Sequence, residues 1–75
     1  MPTIDVTATG QNIQAMCKTA GITAKHIQNA CGLTTANAVY KWIHGVCMPT
    51  IDNMVIIADI LGTTIDHLIV INRQT

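Results

Sequence analysis

The sequence has 75 residues, of which 49% are hydrophobic and 11% charged, and its formal net charge at pH 7 is zero. A chain of this length forms one domain, and its apolar runs are far shorter than the roughly 20 residues that span a bilayer. Zero net charge argues against a nucleic-acid partner. Because no basic segment precedes an apolar stretch at the N-terminus, we expect no secretory signal and a cytoplasmic protein without a membrane partner.

The charged residues are, however, unevenly distributed along the chain. Residues 6–51 include no acidic side chain, and their lysines are Lys18, Lys25 and Lys41. Three of the four acidic residues lie from position 52 onward. This asymmetry is typical of a protein with one surface that faces a polyanion, and chance is the alternative explanation for so few charges.

The first part of the chain predicts an extended segment followed by two helices. Residues 1–8 alternate loosely, which favours an N-terminal arm or a short strand. The first helix is predicted to begin after a Thr9 cap and to end at Gly21. The second is predicted to begin after a Thr23 cap and to end at Gly32.

The third helix is predicted over residues 36–44. Thr35, or less favourably Thr34, caps its start, and Gly45 ends it. Its large apolar side chains recur at helical spacing, so we expect Trp42 to lie in the core.

Residues 23–44 together predict a helix-turn-helix. This motif needs little space at the turn, which Gly32 provides, and a second helix with a polar outer face. Many helical hairpins share a glycine turn, so the motif is only moderately specific.

The last third predicts two more helices and a strand. Thr50 is expected to cap the fourth helix, Gly62 to end it, and Thr64 to cap a short fifth helix. Residues 68–72, LIVIN, are apolar up to Ile71 and mostly β-branched, which favours a strand. The buried stripe of the fourth helix is expected to comprise Ile51, Met54, Ile57, Ala58 and Leu61. A five-helix core cannot cover the remaining apolar side chains, which are Val55, Ile56, Ile60, Val70 and Ile71.

Residues with catalytic or metal-binding chemistry form no recognisable site. The three cysteines, Cys17, Cys31 and Cys47, have no C-x-x-C spacing and are odd in number, which argues against a disulfide framework. A zinc site is a minor alternative and would need His26, Cys31, His44 and Cys47 from three separate elements. The chain has no Glu and no Ser, so we expect neither an enzyme nor a metal, cofactor or small-molecule ligand.

Two longer stretches carry a resemblance to a known family. Residues 41–69 read KWIHGVCMPTIDNMVIIADILGTTIDHLI. This order of Trp, Gly, a connector, Pro-Thr, a helix ending in ADILG and a closing IDHLI resembles the helix-turn-helix domains of the phage repressor and Cro type, the xenobiotic-response-element family. Residues 32–45, GLTTANAVYKWIHG, are similar to a Gram-positive subgroup that reads GLSSPQAIYKWQRG. Over residues 9–72 the resemblance implies an all-α, compact, five-helix lambda-repressor-like domain, with short strands at its ends.

The same resemblance implies a repressor-like transcriptional regulator of a bacterium or phage that binds double-stranded DNA. Its third helix would enter the major groove, with Thr35 on phosphate and Asn37 on a base edge. Asn37 has the chemistry to bind adenine through two hydrogen bonds, and the Ala36 methyl to pack on a thymine methyl. The DNA-binding residues expected by position are Thr34, Thr35, Ala36, Asn37, Tyr40, Lys41, His44 and Lys25.

Departures from the family pattern reduce the expected phosphate contacts. Ala24 stands where the family often has Gln, and His44 where the subgroup has Arg, so a permanent cation is replaced by a pH-dependent one. The alternative is therefore a protein-interaction module on the same fold with weakened DNA binding, which the apolar surplus also favours. A homodimer formed through the last third, by helix contact or by strand pairing with the N-terminal segment, accounts for the same surplus.

Overall fold

The computed structural model describes residues 2–72 and contains five helices and two short strands in that range. In chain order the elements are β1 (Thr3–Ile4), α1 (Val6–Ala20), α2 (Ala24–Ala30), α3 (Asn37–Ile43), α4 (Ile51–Leu61), α5 (Ile65–Leu68) and β2 (Ile71–Asn72). The prediction of a mainly helical chain with five helices and short terminal strands is confirmed for these residues. Within the same range no helix has the length and apolarity to cross a bilayer.

α1 is the element on which most of the others pack. It contacts α3, α4 and α5, while α2 packs against α3. The buried core consists of Ile13, Cys17, Ile27, Val39, Trp42, Met54, Ile57, Ala58 and Leu68. Trp42 is 6% exposed, which confirms its predicted place in the core, and every other core member is non-aromatic.

The two ends of the described chain are joined to each other and to α1. β1 and β2 pair in antiparallel orientation, with Ile4 opposite Ile71. Asn12 Nδ2 donates hydrogen bonds to the carbonyl oxygens of His67 and Leu68 at 2.7 and 3.0 Å. The strand pairing that the sequence offered for a dimer therefore occurs within one chain.

The start of α1 differs from the prediction. The helix begins at Val6 rather than after Thr9, and its N-cap is Asp5, whose carboxylate accepts a hydrogen bond from the Ala8 N–H at 3.0 Å. Thr9 is fully buried, and its hydroxyl accepts a hydrogen bond from the Val70 N–H at 2.9 Å. Because this distant contact occupies the Thr9 hydroxyl, the local cap passes to Asp5, and the predicted N-terminal arm shortens to β1.

Most of the other helix ends outside α3 follow the sequence, but α2 ends at Ala30 with Cys31 as its C-cap, before the predicted stop at Gly32. Thr23 and Thr50 each accept a hydrogen bond from the backbone N–H three residues later, at 3.2 and 3.3 Å. α1 and α4 end at glycines, as predicted. Thr64 occupies the predicted N-cap position of α5, but its hydroxyl is hydrogen-bonded to Nδ1 of His67 at 2.7 Å instead of to a backbone N–H.

The set of exposed apolar side chains on α4 differs from the prediction. Ile51, expected in the buried stripe, is 71% exposed because it is the first residue of the helix, one turn before the first buried residue. Val55 is 52% exposed, as expected of the apolar surplus, and Ile71 is exposed as well. The remaining members of the surplus are half-buried: Ile56, Ile60 and Val70.

Candidate nucleic-acid interface

The turn between α2 and α3 determines how these two helices are arranged. Gly32 has a φ of 69°, in the left-handed region where glycine carries no Cβ penalty. The Leu33 N–H donates to the Gln28 carbonyl oxygen at 2.9 Å, and Gln28 Nε2 donates to the Leu33 carbonyl oxygen at 3.4 Å. Leu33 also packs against the core. The turn is thus attached both to α2 and to the core, which gives α3 a defined position.

α3 has one buried face and one exposed face. Val39 and Trp42 are 1% and 6% exposed. The side chains on the opposite side are all exposed, and they are Asn37, Tyr40, Lys41 and His44. Because these four residues follow one another at intervals compatible with a helical turn, they form one continuous polar stripe, which we call the α3 stripe.

The start of α3 differs by one residue from the prediction. The N-cap position is Ala36 rather than Thr35, and no side chain caps it. Ala36 has a ψ of −1°, a turn value, so the regular helix starts at Asn37. The Thr35 hydroxyl still accepts a hydrogen bond from the Asn37 N–H at 3.3 Å. Thr35 therefore supports the beginning of the helix from outside it.

The structure brings most of the predicted DNA-binding residues together. The α3 stripe and the turn before it account for all of them except Lys25, which is exposed on α2. Thr34 and Thr35 are exposed as well, whereas Ala36 is half-buried. The predicted set thus lies on α3, on the turn that precedes it and on the helix that braces it.

The α3 stripe has no carboxylate on its own helix or on the two helices, α1 and α2, that pack against it. No residue of α1, α2 or α3 is acidic. Lys41 lies in the last turn of α3, where a cation also interacts favourably with the helix dipole. A polyanion that approached α3 would meet basic and neutral side chains from these three helices.

Tyr40 and His44 are the two side chains of the α3 stripe that carry rings. Their rings are stacked, with centroids 6.2 Å apart and an angle of 24° between the ring planes. Tyr40 is 48% exposed, so one part of its ring contacts the protein and the other part faces outward. Stacking reduces the number of rotamers open to both side chains, and the end of the stripe is therefore partly preorganised.

Two glycines position the C-terminal end of α3: Gly10, which sequence analysis did not connect with the site, and Gly45, which it treated only as a helix stop. A Cβ on Gly10 would collide with the backbone carbonyl oxygens of Trp42 and Ile43. A Cβ on Gly45 would lie 2.7 Å from the Cα atom of Thr7. Both glycines therefore allow α1 and the end of α3 to approach closely. A glycine within a helical pattern is the sequence signal that was available for Gly10.

The three cysteines, all within the described part of the chain, are free. Cys17 is buried, Cys31 half-buried and Cys47 exposed, and burial raises the pKa of the Cys17 and Cys31 thiols. Among residues 2–72 no three His, Cys, Asp or Glu side chains lie close enough together to hold a metal ion.

The α3 stripe is thus exposed together with Thr34, Thr35 and Lys25, and this surface is rich in hydrogen-bonding groups and free of acidic residues. Their position depends on Trp42 below the helix and on the close approach to α1. Comparison of the chain with protein-family models, with curated proteins and with solved structures finds no match.

Proposed function

We propose that this protein is a sequence-specific regulator of transcription that binds double-stranded DNA by inserting α3 into the major groove. The observation that carries the proposal is the α3 stripe, which places amide, phenol, ammonium and imidazole groups opposite a buried apolar face. A B-DNA major groove admits an α-helix and displays a distinct pattern of donors and acceptors for each base pair. In a lambda-repressor-like helix-turn-helix, α2 would brace α3 in the groove.

The beginning of α3 supports direct readout of bases. In this class of motif the N-terminal residues of the second helix contact base edges. Asn37 is the first residue of α3 and is exposed, and its amide can donate to adenine N7 and accept from adenine N6–H. The neighbouring Ala36 is half-buried, so only part of its surface would pack on a thymine methyl group.

Phosphate contacts would come from both sides of the stripe. Lys25 on α2 and Lys41 on α3 are exposed, as are the hydroxyl-bearing Thr34 and Thr35. The exposed imidazole of His44 would add a hydrogen-bonding group to these contacts. Such contacts position the protein on the duplex and carry no direct sequence information.

We further propose that the DNA-bound form is a homodimer. Residues 6–51 carry three lysines, and a monomer that uses these three as its phosphate partners would show a salt slope of about −2.7 in log–log form. A fourfold increase in salt would then weaken its binding about 40-fold, from a non-specific affinity that is micromolar or weaker. A second copy doubles the charge and adds a half-site about one helical turn away.

The outer face of α4 supports such an assembly. Ile51 and Val55 lie one turn apart and are 71% and 52% exposed. Contiguous exposed apolar residues are typical of an interface between protein molecules. Because β1 and β2 already pair within one chain, contact between α4 helices is the arrangement we favour for the dimer.

Selection of bound sequences from a random duplex pool, followed by filter binding of the selected site, tests the proposal. We expect a preferred site with two half-sites and a salt slope near twice the monomer value. Lys41→Gln should reduce the slope by about 1 per chain, since it removes one phosphate partner. As a control, Asp66→Asn on α5, at an exposed position outside the α3 stripe and outside α4, should leave the slope nearly unchanged. Failure to bind duplex DNA at low salt would reject the proposal.

The second candidate is a protein-interaction module on the same fold. Val46, Ile51 and Val55 are the observation that favours it, because they are all more than half exposed. Filter binding with a random duplex at low and at physiological salt separates the two candidates. A module of this kind, with weakened DNA binding, would retain little duplex at low salt and none at physiological salt, whereas a DNA-binding regulator would bind well at low salt and lose affinity steeply as the salt is raised.

A further inference from the structure

Tyr40 gives the α3 stripe its one large apolar surface. The chain has one Tyr, one Trp and no Phe, and the Trp is buried, so Tyr40 is the exposed aromatic residue of the protein. It is 48% exposed, whereas Asn37, Lys41 and His44 end in amide, ammonium and imidazole groups. A phenol combines an apolar ring with a single hydroxyl group. A partner of α3 therefore meets polar groups along the stripe except at this ring.

The stacked His44 limits the positions that the ring of Tyr40 can take. The two ring centroids are 6.2 Å apart and the planes meet at 24°, which is the geometry of an offset stacked pair. His44 follows Tyr40 by about one helical turn, so the contact is made within α3 and its C-cap. A side chain that is already held in few rotamers loses less conformational entropy when a partner binds. The ring is thus presented in a restricted direction before any partner is bound.

The spacing along α3 sets which base pairs Asn37 and Tyr40 can reach together. Tyr40 lies three residues after Asn37 on the same face, which is about 4.5 Å farther along the helix axis at about 1.5 Å per residue. Successive base pairs of a duplex are about 3.4 Å apart. In the major groove the two side chains would therefore reach the same base pair or two adjoining ones.

An apolar ring has one apolar target in the major groove. The edges of the base pairs display hydrogen-bond donors and acceptors, together with the 5-methyl group of thymine. Phosphate is the other target for the Tyr40 side chain, through its hydroxyl, but the exposed groups of Lys25, Thr34, Thr35 and Lys41 are already available for phosphate. Contact between the ring and a methyl group removes apolar surface of both from water, which is favourable.

We propose that Tyr40 is a specificity-determining residue whose ring packs on the 5-methyl group of a thymine beside the adenine that Asn37 binds. This thymine is paired with that adenine or belongs to an adjoining base pair. His44 is a positioning residue, because it holds the ring and does not itself contact the methyl group. The inference rests on the proposed function and names the class of DNA that α3 selects, which is a site with a thymine methyl group as part of its signal.

Deoxyuridine in place of single thymines of the selected site tests the inference by competition binding. Uracil keeps the hydrogen-bonding groups of thymine and lacks only the 5-methyl group, so the substitution isolates the apolar contact. Replacement of the thymine beside the adenine should weaken binding about fourfold, which is the effect of burying one methyl-sized group. Thymines beyond the reach of α3 are the controls and should tolerate the replacement.

Protein variants assign the sensitive thymine to Tyr40. Tyr40→Phe keeps the ring and should retain the fourfold loss, whereas Tyr40→Ala should bind the thymine and deoxyuridine duplexes equally. Ala36→Gly removes the other methyl group that could pack on a thymine and should leave this loss unchanged. His44→Ala should reduce the loss, since the ring is no longer held, and the matched control His26→Ala, at an exposed histidine of α2, should not. Circular dichroism verifies that each variant is folded.

Three results would overturn the inference and leave the proposed function intact. They are a site that Asn37 reads but that tolerates deoxyuridine at every thymine, an unchanged loss in Tyr40→Ala, and an abolished loss in Tyr40→Phe, which would assign the contact to the hydroxyl. An unchanged loss in His44→Ala would overturn its positioning role. Failure to bind duplex DNA at low salt would reject the proposed function and this inference with it.

Discussion

α3 and α4 both bury apolar side chains on their inner faces, but their outer faces carry different kinds of side chain. α3 buries Val39 and Trp42, and α4 buries Met54, Ile57 and Ala58. On the outside, α3 presents the α3 stripe, which is polar and basic. α4 presents Ile51 and Val55 together with the exposed carboxylates of Asp52 and Asp59.

The inner faces show why both segments are helices in this protein, and the outer faces indicate what each helix is for. Apolar spacing alone favours a helix in both cases and does not separate a surface for DNA from a surface for protein. The difference between a DNA-binding surface and a protein-binding surface depends on the exposed side chains, because these do not have to fit into the core. The predictions below test whether this difference between α3 and α4 is functional.

The largest expected effect concerns the anchor of α3. Trp42→Ala should lower the free energy of unfolding by about 3–5 kcal/mol, because it leaves a large cavity under the helix. Tyr40→Ala, on the outer face of the same helix, should cost less than about 1 kcal/mol. Urea unfolding followed by far-UV circular dichroism measures both. A native stability for Trp42→Ala would contradict its role as anchor.

The next effect concerns the seat of α3 on α1. Ala in place of a helical Gly normally stabilises by up to about 1 kcal/mol. Gly10→Ala should instead destabilise by about 1–3 kcal/mol, because its methyl group would meet the carbonyl oxygens of Trp42 and Ile43. Thr19→Ala, on the exposed side of α1, serves as the control and should be neutral or slightly stabilising. Stabilisation by Gly10→Ala would disprove the close approach.

Base readout by the α3 stripe gives a prediction of similar size in binding. Asn37→Ala should weaken binding to the preferred site by about 1–3 kcal/mol and relax the preference at one base pair. Thr19→Ala should bind like the unmodified protein. Competition binding with single-base variants of the selected site measures both quantities. If the preference at every position is unchanged in Asn37→Ala, the base-reading role is excluded.

The outer face of α4 should matter for assembly and hardly at all for stability. Val55→Asp is expected to change the free energy of unfolding by no more than about 0.5 kcal/mol, since the side chain is 52% exposed. It should nevertheless prevent the two-to-one complex with a palindromic duplex, which analytical sedimentation detects. Val46→Asp, at a position that is 69% exposed and lies outside α4, is the control. A two-to-one complex that forms normally with Val55→Asp would exclude α4 as the dimer contact.

The smallest effect involves the cysteines and no change in stability. Cys47, exposed in the connector between α3 and α4, should react with iodoacetamide in the native protein faster than Cys31, and Cys17 should react last. Burial and the raised pKa of the Cys17 and Cys31 thiols both reduce the thiolate available for attack. Mass spectrometry of peptides from timed samples gives the order. Early labelling of Cys17 would mean that α1 separates readily from the core.

Local features of this protein could be determined from the sequence by itself. Thr23 and Thr50 were identified as caps because their hydroxyls bond to N–H groups only three residues away. The glycines that end helices and the spacing of apolar residues also depend only on neighbouring residues. For this reason the sequence predicts the five helices and the buried Trp42. The candidate site could also be predicted from the sequence, because the residues of the α3 stripe are the positions of a short helix that are left exposed once its buried positions are known.

Other features were decided only by the tertiary structure. Thr9 has the chemistry of a cap, but its hydroxyl accepts a hydrogen bond from the N–H of Val70, 61 residues away, and Asp5 is the N-cap of a helix that begins at Val6. The exposure of Ile51 depends on where the core ends along α4, and the apolar spacing of the sequence does not show this position. Each of these features results from contacts between residues that are distant in the sequence. Such contacts form only in the folded chain, and they can override the local preference of a segment.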